Sequence, residues 1–129
     1  KGGSAYLNGC SIFGNGRQGV MVWHGAGEFR AERSEIHSNE YETGVMVEEN
    51  TQPAILKSCR LYGNGYCGAA VQTRGLLELR ACDVHSNMEG VLVQSSGAAS
   101  IDHCIVKENR ANGVFIGYDH TGTGSAPNT

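Results

Sequence analysis

The sequence predicts an all-β fold, a single-stranded right-handed parallel β-helix of about five coils of 22–25 residues. Three observations predict it. An asparagine recurs at Asn15, Asn39, Asn64, Asn87 and Asn109, at spacings of 24, 25, 23 and 22 residues. The same residue types stand at fixed offsets around each of these asparagines. Within each unit, apolar or small residues fall at every second position, the period of a strand, and not at the three-to-four-residue period of a helix.

The first strand of each unit carries Ala5 and Leu7, Phe29 and Ala31, Ala54 and Leu56, Leu77 and Leu79, or Ala99 and Ile101. Three residues later comes Cys10, Ser34, Cys59, Cys82 or Cys104. The second strand centres on Ile12, Ile36, Leu61, Val84 or Val106, and the asparagine follows it. A glycine (Gly19, Gly44, Gly68, Gly90 or Gly113) then opens a third strand, reading GVMV, GVMV, GAAV, GVLV and GVFI. A unit this short cannot bury its own apolar face, but stacking on a like neighbour does so and pairs each strand in parallel with its copy. Coils about 4.8 Å apart make a solenoid roughly 24 Å long. Asparagines buried in register can pass amide hydrogen bonds along the axis. The glycines are expected to supply a turn conformation that a Cβ would resist. The near-repetition of CSIFGNG (10–16) as CRLYGNG (59–65) is therefore architecture.

The solenoid is expected over 1–117, with a Gly/Ser/Thr-rich tail or linker over 118–129. The chain opens KGGSAY, without an initiator Met or an apolar leader, so the reading is an excerpt of a longer solenoid or a subunit whose ends neighbours cover. A net charge of −3 speaks against a nucleic-acid surface. No apolar run approaches the ~20 residues of a membrane-spanning helix. Of five cysteines, Cys10, Cys59, Cys82 and Cys104 read as inward, free core thiols. Cys67 reads as a loop residue, either incidental or reactive. No Cys/His spacing suggests a metal site, and no cofactor is implied. The compartment is not legible.

Function is sought on outward rows. On the third strand, Met21, Met46, Ala70, Leu92 and Phe115 form an apolar stripe facing water, and Trp23 leads the adjacent row of Glu48, Gln72, Gln94 and Gly117. An exposed apolar stripe marks a contact surface. The expected site is therefore a partner-binding face of Met21, Trp23, Met46, Leu92 and Phe115, for a protein partner or neighbouring subunits. On the second strand one outward row reads Ser11, Glu35, Arg60, Asp83, Ile105, and its neighbour Phe13, His37, Tyr62, His85, Lys107. Glu35, His37, Asp83 and His85 are the one group able to do acid–base work, and they form the alternative catalytic site. Against that, stacked opposite charges are expected as surface ion pairs here, as at Glu32 beside Lys57 and Arg80 beside Asp102. A further alternative is glycan binding through Trp23, Tyr62 and Phe13.

The repeat seen in CRLYGNGYCGAAV and CDVHSNMEGVLV resembles the right-handed β-helix of the pectin-lyase-like superfamily. It is most similar to the short-coil repeats of carbohydrate-binding and sugar-hydrolase domains and of the β-helix region of some F-box proteins. The likeness covers about residues 5–117. It implies the fold and, as activities hosted there, pectate lyases, polygalacturonases and uronan epimerases acting on acidic polysaccharides. Such lyases imply Ca²⁺ on clustered acids, but the third strand offers an outward acid only at Glu48. Glu35 and Asp83, two coils apart, would stand about 9.6 Å from each other, at the upper limit for a glycosidase pair. No family catalytic residue is carried over. The sequence favours a non-catalytic β-solenoid scaffold or binding module, with a carbohydrate-active enzyme or glycan-binding module as the alternative.

Overall fold

A computed structural model describes residues 2–117. The tail expected over 118–129 lies outside the described residues. The described chain forms fifteen strands in three five-stranded parallel sheets, and each sheet takes one strand from every coil. The first sheet holds β1 (Ala5–Asn8), β4 (Phe29–Glu32), β7 (Ala54–Lys57), β10 (Leu76–Arg80) and β13 (Ala98–Asp102). The second holds β2 (Ser11–Phe13), β5 (Glu35–His37), β8 (Arg60–Tyr62), β11 (Asp83–His85) and β14 (Ile105–Lys107). The third holds β3 (Val20–Val22), β6 (Val45–Glu48), β9 (Cys67–Gln72), β12 (Glu89–Gln94) and β15 (Asn112–Gly117). Register follows the repeat: Ile12 pairs with Ile36, Ile36 with Leu61, Leu61 with Val84, and Val84 with Val106. The inward residues of all three sheets meet in one core, where Ala31, Ile36, Val45, Leu56, Leu61 and Leu79 are fully buried.

The asparagines form a continuous ladder. The Nδ2 of Asn15, Asn39, Asn64 and Asn87 each donates to the Oδ1 of the next asparagine, at 2.9, 3.0, 3.1 and 3.2 Å. The backbone N–H of each donates to the same oxygen, at 3.1, 3.2, 2.9 and 3.0 Å. The amides of Asn64, Asn87 and Asn109 also reach the carbonyls of Ile36, Leu61 and Val84 in the preceding coil. Every buried polar atom of the inner rungs thus has a partner, as burial requires.

The glycine row does a different job from the one expected. Gly19, Gly44, Gly68, Gly90 and Gly113 do not adopt left-handed backbone. They are small because the next coil leaves no room: a Cβ on Gly44 would lie 2.7 Å from the Gly68 carbonyl oxygen and 2.8 Å from Asn64 Nδ2. Left-handed residues recur one position before the Cys/Ser row and one before the asparagine, with others at the corner after the third sheet, at Glu49, Thr73, Arg74, Ser95 and Ser96. Most are not glycine: Arg33, Ser58, Ala81 and His103 in the first column, Ser38, Ser86 and Glu108 in the second. Stacking of each corner on its neighbours holds these residues where an isolated chain would resist them.

A third corner has its own asparagine, which the repeat pattern does not reveal. Asn50 accepts from the Leu76 N–H at 2.8 Å and donates to the carbonyls of Leu76 and Gln52. It has no counterpart in the other coils, so no periodic signal marks it.

Candidate functional site

The third sheet presents the expected apolar row, but in two parts. Met21 projects from β3 and Trp23 from the position just after that strand, with 43% and 60% of their surface exposed, and Met46 beside Met21 is half-buried. Farther along the row the surface closes. Leu92 is only 2% exposed and Ala70 is buried; with Cys67 they form a second small apolar cluster, against which Met46 and Phe115 pack. Leu92 is therefore a packing residue, not the exposed contact residue the alternation suggested. Met21 and Trp23 are the exposed part of the stripe, and Met46 and Phe115 are half-buried.

The row beside it is a polar ladder. Gln94 Nε2 donates to Gln72 Oε1 at 2.8 Å, and Gln72 donates in turn to Glu48. At the corner beyond Trp23, Glu49 accepts from His24 and from Arg74, each at 3.1 Å. Met21 and Trp23 are thus the apolar exception on a face whose neighbours are engaged polar groups.

Cys67 is not in a loop. It opens β9, because the strand begins one residue before the glycine, and it is fully buried. Burial pushes its thiol up to about 12. A thiol held neutral and away from solvent is inert, so the reactive-cysteine option does not stand. All five cysteines are free. Cys59 and Cys82 lie buried in the core, the Cys59 sulfur within hydrogen-bond reach of the Ala31 and Lys57 carbonyls and the Cys82 sulfur of the Leu56 and Arg80 carbonyls.

The second sheet places all four alternative catalytic residues on two adjacent outward rows. Phe13, His37, Tyr62 and His85 form a column of parallel rings, with centroids 5.0, 4.7 and 5.1 Å apart and interplanar angles of 11°, 2° and 3°. Both faces of His37 and of Tyr62 are covered by rings. The Nδ1 atoms of His37 and His85 lie 2.9 Å from the hydroxyls of Ser38 and Ser86. Glu35 accepts from the Tyr62 hydroxyl at 3.1 Å and pairs with Arg60 at 3.6 Å. Burial and this carboxylate raise the Tyr62 phenol above its usual value. Arg60 stands in register between Glu35 and Asp83, so no open space joins the two carboxyls. A sugar cannot stack on Tyr62, and Phe13 offers one face at most.

Of the expected ion-pair columns, only Glu35–Arg60 forms. Among the described residues Glu32 turns to Arg33 and Arg80 to Glu78, neighbours on their own coil, instead of reaching Lys57 and Asp102. A shallow hollow of about 470 Å³ lies on the outer face of the first sheet, lined by Ser4, Ala5, Tyr6, Glu28, Arg30 and Glu32. Among the described residues, no group of three or more His, Cys, Asp or Glu is placed to hold a metal ion, and no helix is long and apolar enough to cross a membrane.

A family model for a right-handed β-helix region matches residues 1–129. No curated protein and no solved structure matches the chain.

Proposed function

The chain belongs to the right-handed β-helix family, and on that scaffold we propose a non-catalytic module that binds a protein partner through Met21, Trp23 and Met46. One observation carries this reading: two large apolar side chains, on β3 and at the position just after it, stand in solvent, on a face whose polar neighbours Glu48, Gln72 and Gln94 are hydrogen-bonded to one another. Aromatic and thioether side chains of this kind dominate the energy of protein interfaces when a partner desolvates them. The ring column and Glu35 support the same reading by being occupied. Glu35, His37, Tyr62 and His85 are each stacked, hydrogen-bonded or ion-paired within the column.

The test is affinity capture with the intact chain and with Trp23→Asp and Met46→Asp variants. The proposal expects a defined set of proteins retained by the parent and lost from both variants, while Glu35→Gln and Asp83→Asn retain it. Depolymerisation of pectin or alginate by the parent, lost in Glu35→Gln, would establish the enzyme instead.

A second reading rests on the hollow beside Tyr6. An exposed aromatic ring, two carboxylates and a guanidinium there could hold a saccharide. A glycan array probed with Tyr6→Ala separates it from protein binding.

A further inference from the structure

The outer face of the first sheet carries two rows of side chains through its middle coils. In strand register one row reads Arg30, Ile55, Glu78 and the other Glu32, Lys57, Arg80. Opposite charges one coil apart could cancel along the second row, yet the side chains pair within their own coils. Arg30 Nε donates to Glu28 at 2.8 Å, Arg33 to Glu32 at 3.4 Å, and Arg80 Nη2 to Glu78 at 2.7 Å. Each carboxylate is thereby matched by one arginine, and Lys57 is the cation left over. Among the described residues its exposed ammonium has neither an acceptor nor a counter-ion, although Glu32 and Arg80 flank it in register. Arg30 keeps both Nη groups free, and Arg80 keeps its Nε and one Nη.

The three cations border a hollow of about 110 Å³ lined by Arg30, Ala31, Glu32, Ile55, Lys57 and Arg80. It adjoins the larger hollow beside Tyr6, with which it shares Arg30 and Glu32. Strands β4, β7 and β10 each pair on both sides, so the hollow belongs to the middle of the solenoid and to neither end. It is well below the ~300–1,000 Å³ of a pocket that encloses a whole small molecule, so it takes a single functional group. Three cations outweigh one carboxylate in its lining, and that carboxylate is held by Arg33. A phosphoryl group matches this chemistry. It brings a charge of about −1.5 to −2 near pH 7 and three acceptor oxygens, one for each cation. Guanidinium forks suit phosphate oxygens, and an ammonium serves them as a point charge. A carboxylate brings one charge and two oxygens, and leaves one of the three cations without a partner.

We propose that Arg30, Lys57 and Arg80 form a binding site for a phosphoryl group, free or as a monoester, with Lys57 as its central charge. The site lies on a different sheet from Met21 and Trp23 and does not depend on what that patch binds.

NMR titration of the isotope-labelled intact chain tests it, with phenyl phosphate and inorganic phosphate as probes at a constant ionic strength of about 0.15 M. The expected result is saturable shifts confined to the surroundings of Arg30, Ile55, Lys57 and Arg80, with a Kd on the order of 1 mM for exposed cations. Tighter binding of phenyl phosphate assigns an ester lying against Ile55, and equal binding assigns free phosphate; either supports the site. Lys57→Met keeps the stem, removes the charge at an exposed position, and should raise Kd about tenfold or more, whereas Lys57→Arg should keep it. Lys107→Met removes the same charge from the second sheet and should leave Kd within about twofold. Shifts that never saturate or that spread over the whole surface overturn the proposal, as does equal weakening by Lys57→Met and Lys107→Met. Acetate or galacturonate binding as tightly as phosphate overturns the assignment to a phosphoryl group.

Discussion

Gly44→Ala adds one methyl group, and the structure indicates where it must go. The new Cβ would sit 2.7 Å from the Gly68 carbonyl oxygen, 2.8 Å from Asn64 Nδ2 and 3.2 Å from Asn64 Cγ. Neither obstacle yields easily. The carbonyl is backbone of the adjoining strand, and the amide is tied to Ile36 and Asn87 at 3.3 and 3.1 Å. Overpacking of this kind costs about 1–3 kcal/mol. A displaced rung adds about 1 kcal/mol. The stiffer unfolded chain returns about 0.4–1 kcal/mol. The net is a loss of about 2–3 kcal/mol, or ~7–11 °C in Tm for a chain of this length. Gly113→Ala is the control: its Cβ meets only Val106 at 3.4 Å, and its backbone is not left-handed. Thermal melts of dilute protein, followed by circular dichroism, should show Gly113→Ala unchanged or raised by a few degrees, about 0.4–1 kcal/mol of stabilisation. Equal destabilisation by both would refute the close-approach account and return these glycines to a conformational role.

Three further outcomes follow from the same geometry. Asn64→Ala leaves the Asn39 amide and backbone N–H without their acceptor and strips Asn87 Oδ1 and the Ile36 carbonyl of one donor each, so urea unfolding should show a loss of about 3–5 kcal/mol, against about 1 kcal/mol or less for Asn15→Ala at the exposed end. Leu92→Asp buries a carboxylate in the second apolar cluster and should unfold the chain or lower its urea midpoint severely, whereas Met46→Asp, half-buried at the cluster's edge, should stay folded; equal tolerance would mean that Leu92 is surface after all. Cys67 is raised from an ordinary 9.0 to about 12, so the folded state favours its protonated form; the resulting stability is fully present below pH 9 and is lost as pH climbs from 9 to 12. Unfolding midpoints measured across that window should fall less steeply in Cys67→Ala than in the parent, and native-state alkylation at pH 7 should spare Cys67.

The rows of the tube were legible because a solenoid converts sequence period into spatial register. Ile12, Ile36, Leu61, Val84 and Val106 share an offset, and therefore share a column. Which way a side chain points follows from the period of two, and here it was read correctly even for Leu92. Whether an outward side chain meets water does not follow, because that depends on the size and reach of its neighbours. Leu92 lies between Ala70 and Phe115 in its row, with Cys67 added by a strand that starts one residue early. The same limit explains the second sheet. The row Phe13, His37, Tyr62, His85 was evident, and read as titratable groups it suggested catalysis. At a coil spacing of about 4.8 Å, however, flat rings in register can close to stacking distance. Once stacked, the imidazoles and the phenol spend their faces on one another and their polar edges on Ser38, Ser86 and Glu35. A periodic fold therefore tends to turn a row of reactive residue types into a self-satisfied column. On this chain the residues proposed to bind a partner are those where a column breaks. Trp23 is one: its row continues as Glu48, Gln72 and Gln94, so the ring meets the tilted ring of its sequence neighbour His24, centroids 6.2 Å apart, and does not enter a column of stacked rings.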